Sequence, residues 1–244
     1  MPQLHYYPSF LPVLASAFPI ALLWMGCSDG AADDKFVTNW IKGANDDTIT
    51  VVIPHCDMGT GTFTSLSQMA ADELDSDWDK IRAEQAPPEV VFANGAMIEG
   101  FALNGAQVPA MLKGLAANTF RFVAAEITIP GAGYAPQITG GSAAVRFTGV
   151  NAMRVAGAAT REMLVKAAAA RWDVPASECT TAHNKVLHTA SGRSLGYGAL
   201  AGDAASYSPS SNPALKPKTK YTLVGKSIPR VDIPQKVNGT TDYG

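Results

Sequence analysis

Residues 48–86 constrain the fold more than any other part of the sequence, because their pattern predicts two strands joined by a helix. Residues 48–54 are rich in β-branched side chains, which favour a strand. Apolar residues then recur at three- and four-residue spacing up to Leu74, which predicts a helix, and residues 80–86 alternate as a second strand. A helix that connects two strands is typical of a crossover between parallel strands. We therefore expect an α+β fold in which helices pack on a mixed sheet.

Further elements are predicted on both sides of this unit. The longest is an alanine-rich helix, whose apolar residues keep helical spacing until Pro175 stops it. Strand-like residues on both sides of Asn184 favour a hairpin. The predicted elements are a strand at 36–41 that pairs with 48–54, a helix at 139–172, a hairpin at 179–189, a short helix at 197–207 and a strand-like piece at 221–224.

Differences in composition divide the chain into three parts. Residues 1–35 are predicted to be an apolar export or membrane-anchor segment and a linker, because residues 8–27 carry no charge and are long enough to cross a bilayer. A cleaved export signal and a buried start of the chain are the alternatives. Residues 36–207 form the predicted α+β domain, in which residues 94–138 are an irregular, glycine-rich insertion. Residues 208–244 are rich in Pro, Lys and Ser and predict an extended tail that leads to a further domain.

Charge and cysteine content argue against several classes of function. The formal net charge is -2 and no basic cluster occurs, so we expect no nucleic-acid partner. Cys27, Cys56 and Cys179 lie far apart, and the four histidines form no zinc-binding motif, so no metal site is predicted within this chain. Only 16% of the residues are charged, which suits either a protein partly covered by partners or a weakly charged secreted protein.

The first candidate binding site is the turn between the first strand of the crossover unit and its helix. Gly59, Thr60 and Gly61 form a Gly-x-Gly turn directly before the predicted helix. Free backbone N–H groups and the helix dipole favour an anion at such a place. Thr62 or Thr64 is expected to cap the helix. A tight structural turn without a ligand is the alternative interpretation.

A second helix start repeats this pattern at Thr139, Gly140, Gly141 and Ser142. The threonine or the serine is expected to cap the long helix, and the glycines let a ligand approach the backbone. Arg146 follows one turn later, where it can reach a negative charge. Two such starts in one domain favour a large anionic cofactor, although neither start matches a Walker or a Rossmann motif.

Other polar residues are interpreted as structural. His55 lies beside the first turn and is predicted to be a structural histidine, with a place in the site as the alternative. Asp72 and Glu73 are predicted to be solvated on the exposed face of the helix. No nucleophile with its base is found in the sequence, so no catalytic residue is assigned.

Several segments together carry a resemblance to a known family. They are residues 53–78 around the first glycine turn, 139–146 around the second, 156–164, 191–193 with 197–198, and 223–239. In this order they resemble the isoquinoline 1-oxidoreductase β-subunit and membrane-bound aldehyde dehydrogenase large-subunit group. That group belongs to the xanthine dehydrogenase/aldehyde oxidase superfamily. The resemblance extends from about residue 36 to the last residue.

The resemblance implies that the chain is the N-terminal portion of the molybdopterin-binding large subunit of a molybdenum hydroxylase. Such an enzyme oxidises an aldehyde or an N-heterocycle, with water as the source of oxygen. The implied cofactor is molybdopterin cytosine dinucleotide with molybdenum, bound by the α+β domain at 36–207. The implied contacts are Gly59, Thr60, Gly61, Thr62, Thr139, Gly140, Gly141, Ser142 and Arg146.

The resemblance also implies partners and a location. Electrons would leave through [2Fe-2S] clusters on an iron–sulfur small subunit. The remainder of the large subunit and a cytochrome c subunit are the other expected partners. The family and the apolar N-terminus together indicate the periplasmic side of the bacterial inner membrane, with the chain anchored or exported.

The sequence departs from the family pattern in three places. Thr60 stands where the family usually has glutamine, whose longer amide contacts the cofactor. Residues 94–138 are longer than the family pattern predicts. The family's catalytic glutamate would lie beyond Gly244, so the chain alone is expected to be inactive. The alternative is a non-catalytic, membrane-tethered cofactor-binding or scaffold module derived from such a subunit.

Overall fold

A computed structural model describes the chain at residues 34–103, 109, 138–139, 141–210 and 212–240. The apolar segment at 8–27 and most of the predicted insertion lie outside these residues. The strands are β1 (Lys35–Thr38), β2 (Ile41–Gly43), β3 (Ile49–Ile53), β4 (His55–Cys56), β5 (Ile81–Gln85), β6 (Ile138–Thr139), β7 (Cys179–Ala182), β8 (Lys185–His188) and β9 (Arg193–Gly196). The helices are α1 (Thr62–Leu74), α2 (Gly95–Ala102), a π-helical stretch (Ala144–Met153) that continues into α3 (Arg154–Trp172), α4 (Tyr197–Ala204) and α5 (Ile233–Asn238).

The main sheet has the strand order β1-β2-β3-β5 and confirms the predicted crossover. Strands β3 and β5 are parallel, with Ile49 opposite Ile81, and α1 connects them. Strands β1, β2 and β3 are antiparallel neighbours, so the sheet is mixed, as predicted. The single strand predicted at 36–41 is wrong, because the chain turns between β1 and β2. The Thr38 hydroxyl accepts a hydrogen bond from Trp40 N at 3.4 Å, a local bond that favours a turn over a continuous strand.

The core lies between this sheet and the pair of helices α1 and α3. Every residue of β3 is buried, since both of its faces are covered. Helix α1 contributes Leu66, Ala70 and Leu74 to the core, as its apolar spacing predicts. Gly157 of α3 lies so close to α1 that a Cβ there would be 2.6 Å from Ala70 O. The absence of a side chain at this position lets the two helices pack closely.

The long helix predicted at 139–172 is not uniform. Its first part, Ala144–Met153, is π-helical, and Arg154 N donates to Gly149 O five residues earlier. Such stretches are rare and usually short. Here the stretch packs on α1, where a Cβ on Gly149 would be 2.4 Å from Met69 Sδ. On α2, a Cβ on Gly100 would clash in the same way with the Phe147 ring.

Hydrogen bonds connect the C-terminal end of α1 to the region of a second, three-stranded sheet. The predicted hairpin is confirmed as β7 and β8, and β9 adds a third antiparallel strand. Asn184, in the hairpin turn, is buried and accepts a hydrogen bond from Asp77 N at 2.8 Å. The Tyr197 hydroxyl donates to Leu74 O at 2.6 Å, and burial raises the pKa of this phenol above its usual range.

The C-terminal segment lies along α1. Residues 221–224, predicted as strand-like, form no strand: the N–H groups of 222–224 donate to the Asp72 side chain and not to a neighbouring strand. The segment includes a 3-10 turn at Lys218–Lys220 and ends in α5. Among the described residues, no helix combines the length and the apolar character that a membrane span requires.

Candidate functional site

The structure brings the two predicted glycine-containing helix starts side by side. Strands β4 and β6 are parallel, with His55 opposite Ile138 and Cys56 opposite Thr139. Each strand is followed by a glycine-containing turn and then by a helix. Because the carboxyl ends of parallel strands meet at one edge, both turns leave the same edge of this two-stranded sheet. Two segments that are far apart in the sequence thus lie next to each other and form one candidate binding site.

The first turn depends on two glycines in the left-handed conformation. Gly59 has a φ of 88° and Gly61 a φ of 75°, which non-glycine residues adopt at a cost. A Cβ at either position would meet no atom within 4 Å, so the space above the turn is open. Met58 beside it is 71% exposed. A ligand could therefore reach the backbone of this turn directly.

The N-terminus of α1 has the donors that an anion requires. The first intrahelical hydrogen bond runs from Ser65 N to Gly61 O, so the N–H groups of residues 62–64 have no acceptor within the helix. The predicted threonine cap is wrong, since Gly61 occupies the cap position and has no side chain. Instead, the Asp57 carboxylate accepts from Gly59 N at 2.7 Å and Phe63 N at 3.3 Å. The chain itself therefore places a negative group at this helix start.

An arginine that the sequence analysis did not assign to the site lies against the turn. Arg230 Nη1 donates to Gly59 O at 3.0 Å, although the two residues are 171 positions apart. Its Nε and Nη2 atoms donate to Asp232 at 2.9 Å and 2.5 Å. The hydrogen bond from Arg230 lowers the pKa of Asp232 to about 2, against the opposing effect of burial, and Lys236 adds to the lowering. No local pattern in the sequence indicates this contact.

The second turn is described only in part. Thr139 ends β6, Gly140 lies outside the described residues, and a Cβ on Gly141 would meet no atom within 4 Å. Ser142 is exposed, and the residue that flanks the π-helical stretch is Ala143, which forms no side-chain cap. Arg146 is also exposed.

The guanidinium of Arg146 lies 5.2 Å from the centre of the Phe147 ring. This stacking keeps its charge at the surface of the helix. A role of Arg146 toward an anion stays a prediction.

His55 has the contacts of a structural residue. It is fully buried, and its Nε2 atom lies 2.9 Å from Thr148 Oγ1 and 3.1 Å from Asn94 Nδ2. Asn94 also accepts from Met97 N at 3.2 Å and so caps α2. These contacts join β4, the start of α2 and the π-helical stretch, which supports the structural interpretation.

The prediction that Asp72 and Glu73 are solvated is wrong. Each is only 1% exposed. Glu73 Oε1 accepts from Arg154 Nε at 2.8 Å and Nη2 at 2.6 Å, and Asp72 accepts from backbone N–H groups of the C-terminal segment. That segment covers the polar face of α1. Helical periodicity indicates which face is apolar, but it does not show that a distant segment covers the other face.

A serine and a histidine do come together elsewhere, which the sequence analysis did not find. His188 Nδ1 lies 2.7 Å from Ser191 Oγ, and its Nε2 lies 3.1 Å from Glu178 Oε2. The serine hydroxyl, however, already accepts from Arg193 Nε at 2.6 Å. The amide after it, Gly192 N, donates to a carbonyl of its own turn at 3.3 Å and is therefore not available to stabilise an oxyanion. Arg193 Nη1 also donates to Trp172 O at 3.2 Å, so these hydrogen bonds join the turn between β8 and β9 to the end of α3, and we assign them no catalytic role.

The comparisons with known proteins agree with the segments that resemble a family. No protein-family model matches the chain. The chain is 32% identical over 239 positions to the beta subunit of isoquinoline 1-oxidoreductase from Brevundimonas diminuta, in a match that covers 84% of the chain and 26% of that protein. It is 28% identical over 222 positions to the membrane-bound aldehyde dehydrogenase (pyrroloquinoline-quinone) of Gluconacetobacter polyoxogenes, covering 88% of the chain and 22% of that protein.

A third relative is the B subunit of nicotinate dehydrogenase from Pseudomonas putida, which is 26% identical over 205 positions. This match covers 84% of the chain and 14% of the relative. The chain thus spans about a quarter or less of the length of the curated relatives that it matches. These matches confirm the resemblance to one region of this group of large subunits.

Proposed function

Because most of this chain resembles one region of isoquinoline 1-oxidoreductase β-subunits and related dehydrogenases, we propose that it is part of the molybdopterin-binding large subunit of a molybdenum hydroxylase. The complete protein would oxidise an aldehyde or an N-heterocycle, with water as the source of oxygen. The names of the relatives support the oxidoreductase class, since they include a nicotinate and an aldehyde dehydrogenase. The part played by this chain would be to bind and orient the cofactor.

One structural observation carries the proposal for the site. The parallel pair of β4 and β6 brings Gly59–Gly61 and Gly141 to the same edge, and open space lies above all three glycines. A dinucleotide cofactor has several anionic groups, and two adjacent helix starts can contact two of them at once. A single helix start would support only the binding of one anionic group.

The residues at the turns suit such a group in most respects. The N–H groups of Thr62 and Thr64 and the open backbone at the glycines would bind phosphate oxygens. Asp57 opposes an anion, so its carboxylate would turn away or be compensated when the cofactor is bound. The bound molybdenum would supply the redox chemistry, while the protein holds it in place.

Thr60 supplies a different contact from the family's glutamine. Its hydroxyl lies 2.7 Å from the Thr62 hydroxyl, so the side chain is directed to the helix start. We expect Thr60→Gln in the complete enzyme to preserve or strengthen cofactor retention, because a longer amide can contact the cofactor with both a donor and an acceptor. Molybdenum content per enzyme molecule measures this, and a loss of molybdenum would contradict the position proposed for this turn.

The partners and the location are part of the same proposal. An iron–sulfur small subunit would receive the electrons, the remainder of the large subunit would complete the active site, and a cytochrome c subunit is a further partner. The periplasmic side of the inner membrane is the proposed location. It is supported by the apolar residues 8–27 and by a relative that is named as membrane-bound.

The decisive experiment uses the complete enzyme that contains this chain. Molybdenum and cytosine dinucleotide should co-purify with it, and metal analysis and nucleotide release after acid treatment detect them. Pyrroloquinoline quinone is measured in parallel, because the name of one relative contains it. A complete complex that contains neither molybdenum nor pterin would overturn the proposal and favour the non-catalytic binding or scaffold module.

A matched pair of variants tests the site itself. Gly61→Leu places a side chain in the open space above the first turn, whereas Gly192→Leu does the same at a glycine of similar conformation far from it in the chain. The φ angles of 75° and 68° make the backbone strain comparable. We expect the molybdenum content to fall about tenfold or more in Gly61→Leu only, which corresponds to about 1.4 kcal/mol or more of cofactor affinity. Equal losses in both variants would contradict the assignment.

A further inference from the structure

The segment 213–231, called the strap here, runs along α1 in the direction opposite to the helix. Its early residues lie at the C-terminal end of α1, where Lys216 N donates to Glu73 Oε2 at 2.9 Å. Its last residues lie at the N-terminal end, where Arg230 contacts Gly59. One continuous segment therefore joins a buried acidic cluster to the first glycine turn, with the length of α1 between them.

The first anchor of the strap is the Asp72 carboxylate. It accepts from Thr222 N at 2.9 Å, Leu223 N at 3.4 Å and Val224 N at 2.9 Å, and from the Thr222 hydroxyl at 3.1 Å. The side chain is 1% exposed, and a buried carboxylate is stable only when such donors replace water. The N–H groups of the strap thus replace water around this buried charge, and the charge in turn holds the backbone of the strap.

The second anchor is the Glu73 ion-pair cluster. Arg154 bonds to Glu73 and donates to Lys216 O at 2.9 Å, while Arg161 donates to Ala214 O at 2.6 Å. Both arginines belong to α3 and bond to Glu73 or its carbonyl. The start of the strap is therefore fixed to two helices at once.

The strap ends on the glycine turn and the start of α1. Val231 N donates to Thr64 Oγ1 at 3.2 Å, and Arg230 Nη1 donates to Gly59 O at 3.0 Å. Gln68, halfway along α1, donates to Lys226 O at 3.1 Å and also to Leu223 O. The glycines of the turn have no side chains to pack, so hydrogen bonds hold its conformation: those that Asp57 accepts within the turn, and the one that the strap adds through Arg230.

We propose that the strap fixes the conformation of the 57–61 turn, and that Arg230, Asp72 and Glu73 are positioning residues for it. Arg230 acts directly on the carbonyl of Gly59, while the two acids act through the strap from the other end of α1. One part of this inference rests on the proposed function, namely that the turn contacts the cofactor. The coupling between strap and turn is a property of the chain without any ligand.

Hydrogen–deuterium exchange on the full chain, without cofactor, tests the coupling. In Arg230→Ala the two amides of the 57–64 region that donate to Asp57, Gly59 N and Phe63 N, should exchange about fivefold faster or more. The amides of residues 222–224 should stay protected by the intact Asp72 anchor. In Asp72→Asn both segments should exchange faster, because the uncharged amide is a weaker acceptor for three N–H groups. Unchanged exchange at 57–64 in Arg230→Ala would overturn the proposal, and so would a released strap with a protected turn in Asp72→Asn.

Two further variants separate positioning from general stability. Arg171→Ala removes an arginine that pairs with Asp203 at 2.6 Å on another part of the surface, and it should leave both segments unchanged. Arg230→Lys keeps the charge, but a single ammonium cannot replace the three guanidinium bonds to Gly59 O and to both Asp232 oxygens, so protection at Gly59 and Phe63 should stay below that of the unmodified chain. Full protection in the lysine variant would show that the charge alone, and not this set of hydrogen bonds, holds the turn. Should Asp72→Asn fail to fold, Arg230→Ala still decides the question, because it leaves the buried acids intact.

Molybdenum retention in the complete enzyme is a separate measurement. Altered exchange in Arg230→Ala together with normal molybdenum would uphold the strap and count against the turn as a cofactor contact. Unchanged exchange would overturn the strap whatever the molybdenum content. The two proposals can therefore fail independently.

Discussion

Glu73 carries a buried negative charge that is shared by two arginines and a backbone N–H. Its side chain is 1% exposed and that of Arg154 15% exposed, so water can replace these contacts only in part. The pair therefore differs from a surface ion pair such as Arg171–Asp203, in which the side chains are 41% and 49% exposed. Burial decides how much each pair contributes to stability.

We expect Glu73→Gln to lower the free energy of unfolding by up to about 3–5 kcal/mol, since it leaves two largely covered guanidinium groups, 15% and 14% exposed, without their counter-charge. The matched change Asp203→Asn removes a carboxylate from an exposed pair and should cost less than about 1 kcal/mol. Urea unfolding of both variants measures the difference. Similar, small losses in the two variants would show that the Glu73 cluster is solvated.

Asp232 gives a pH dependence whose direction follows from its pKa. Hydrogen bonds from Arg230 and Lys236 lower this pKa from 3.8 to about 2 in the folded chain. A lowered pKa means that the ion pairs contribute their full stability above about pH 4, and that this contribution is lost as the pH falls toward 2.

NMR titration of the Asp232 carboxyl should show a midpoint near 2. The midpoint should move up toward 3.8 in Arg230→Ala, because that variant loses the largest of the lowering effects. A carboxyl that titrates near 3.8 in the unmodified chain would contradict the contact between Arg230 and Asp232.

The packing of α1 against α3 depends on Gly157. We expect Gly157→Ala to destabilise the chain by about 1–3 kcal/mol, because the added methyl would lie 2.6 Å from Ala70 O and push the helices apart. Gly202→Ala is the control, since Gly202 lies in α4 and its nearest neighbours would be 3.6 Å away. Alanine there should be neutral or stabilise the helix by about 0.5–1 kcal/mol. The midpoint of thermal unfolding is measured for both variants. An unchanged midpoint in Gly157→Ala would show that α1 and α3 are not packed as closely as described.

The elements found by sequence reasoning are those whose signal is local. Strand β3, helix α1, strand β5 and the β7–β8 hairpin each show their own periodicity or turn residues, and each forms as predicted. The π-helical stretch at Ala144–Met153 was not predicted, because apolar spacing does not distinguish a bond to the fourth residue from one to the fifth. The stretch packs against α1 and α2, and such tertiary contacts do not show in the local sequence.

For the candidate site, the sequence predicts the two helix starts but not what surrounds them. The sequence shows two similar starts in one domain, whereas the pairing of β4 with β6, which brings Gly59–Gly61 and Gly141 to one edge, is a tertiary contact. Arg230 and the burial of Asp72 could not be predicted, since their partners are 171 and about 150 positions away. A charged residue on a helix shows in the sequence only that it is charged, and the partner that buries it is a tertiary contact.

Several large apolar side chains lie at the surface near the strap and the first turn. Met58 is 71% exposed, and Ile233 and Val237 of α5 are 44% and 77% exposed. The curated relatives are at least about four times as long as the region that matches, since that region makes up 26% of one and less of the others. We therefore expect part of this surface to be covered in the complete protein.

In the isolated chain these residues should promote self-association. Replacing Met58, Ile233 and Val237 together by glutamine should reduce it without changing the thermal unfolding midpoint, because exposed side chains contribute little to the core. Sedimentation velocity and calorimetry measure the two quantities. A marked fall in the unfolding midpoint would show that the three side chains are packed in the chain itself.

The pairing of β4 with β6 has a consequence for how the chain tolerates insertions. The two strands hold the ends of the intervening segment together, so the positions of the glycine turns do not depend on how many residues lie between them. The long segment at 94–138 is thus compatible with the same pair of turns. Among relatives, we expect differences in length to concentrate there and not within β4, β6 or the helices that follow them.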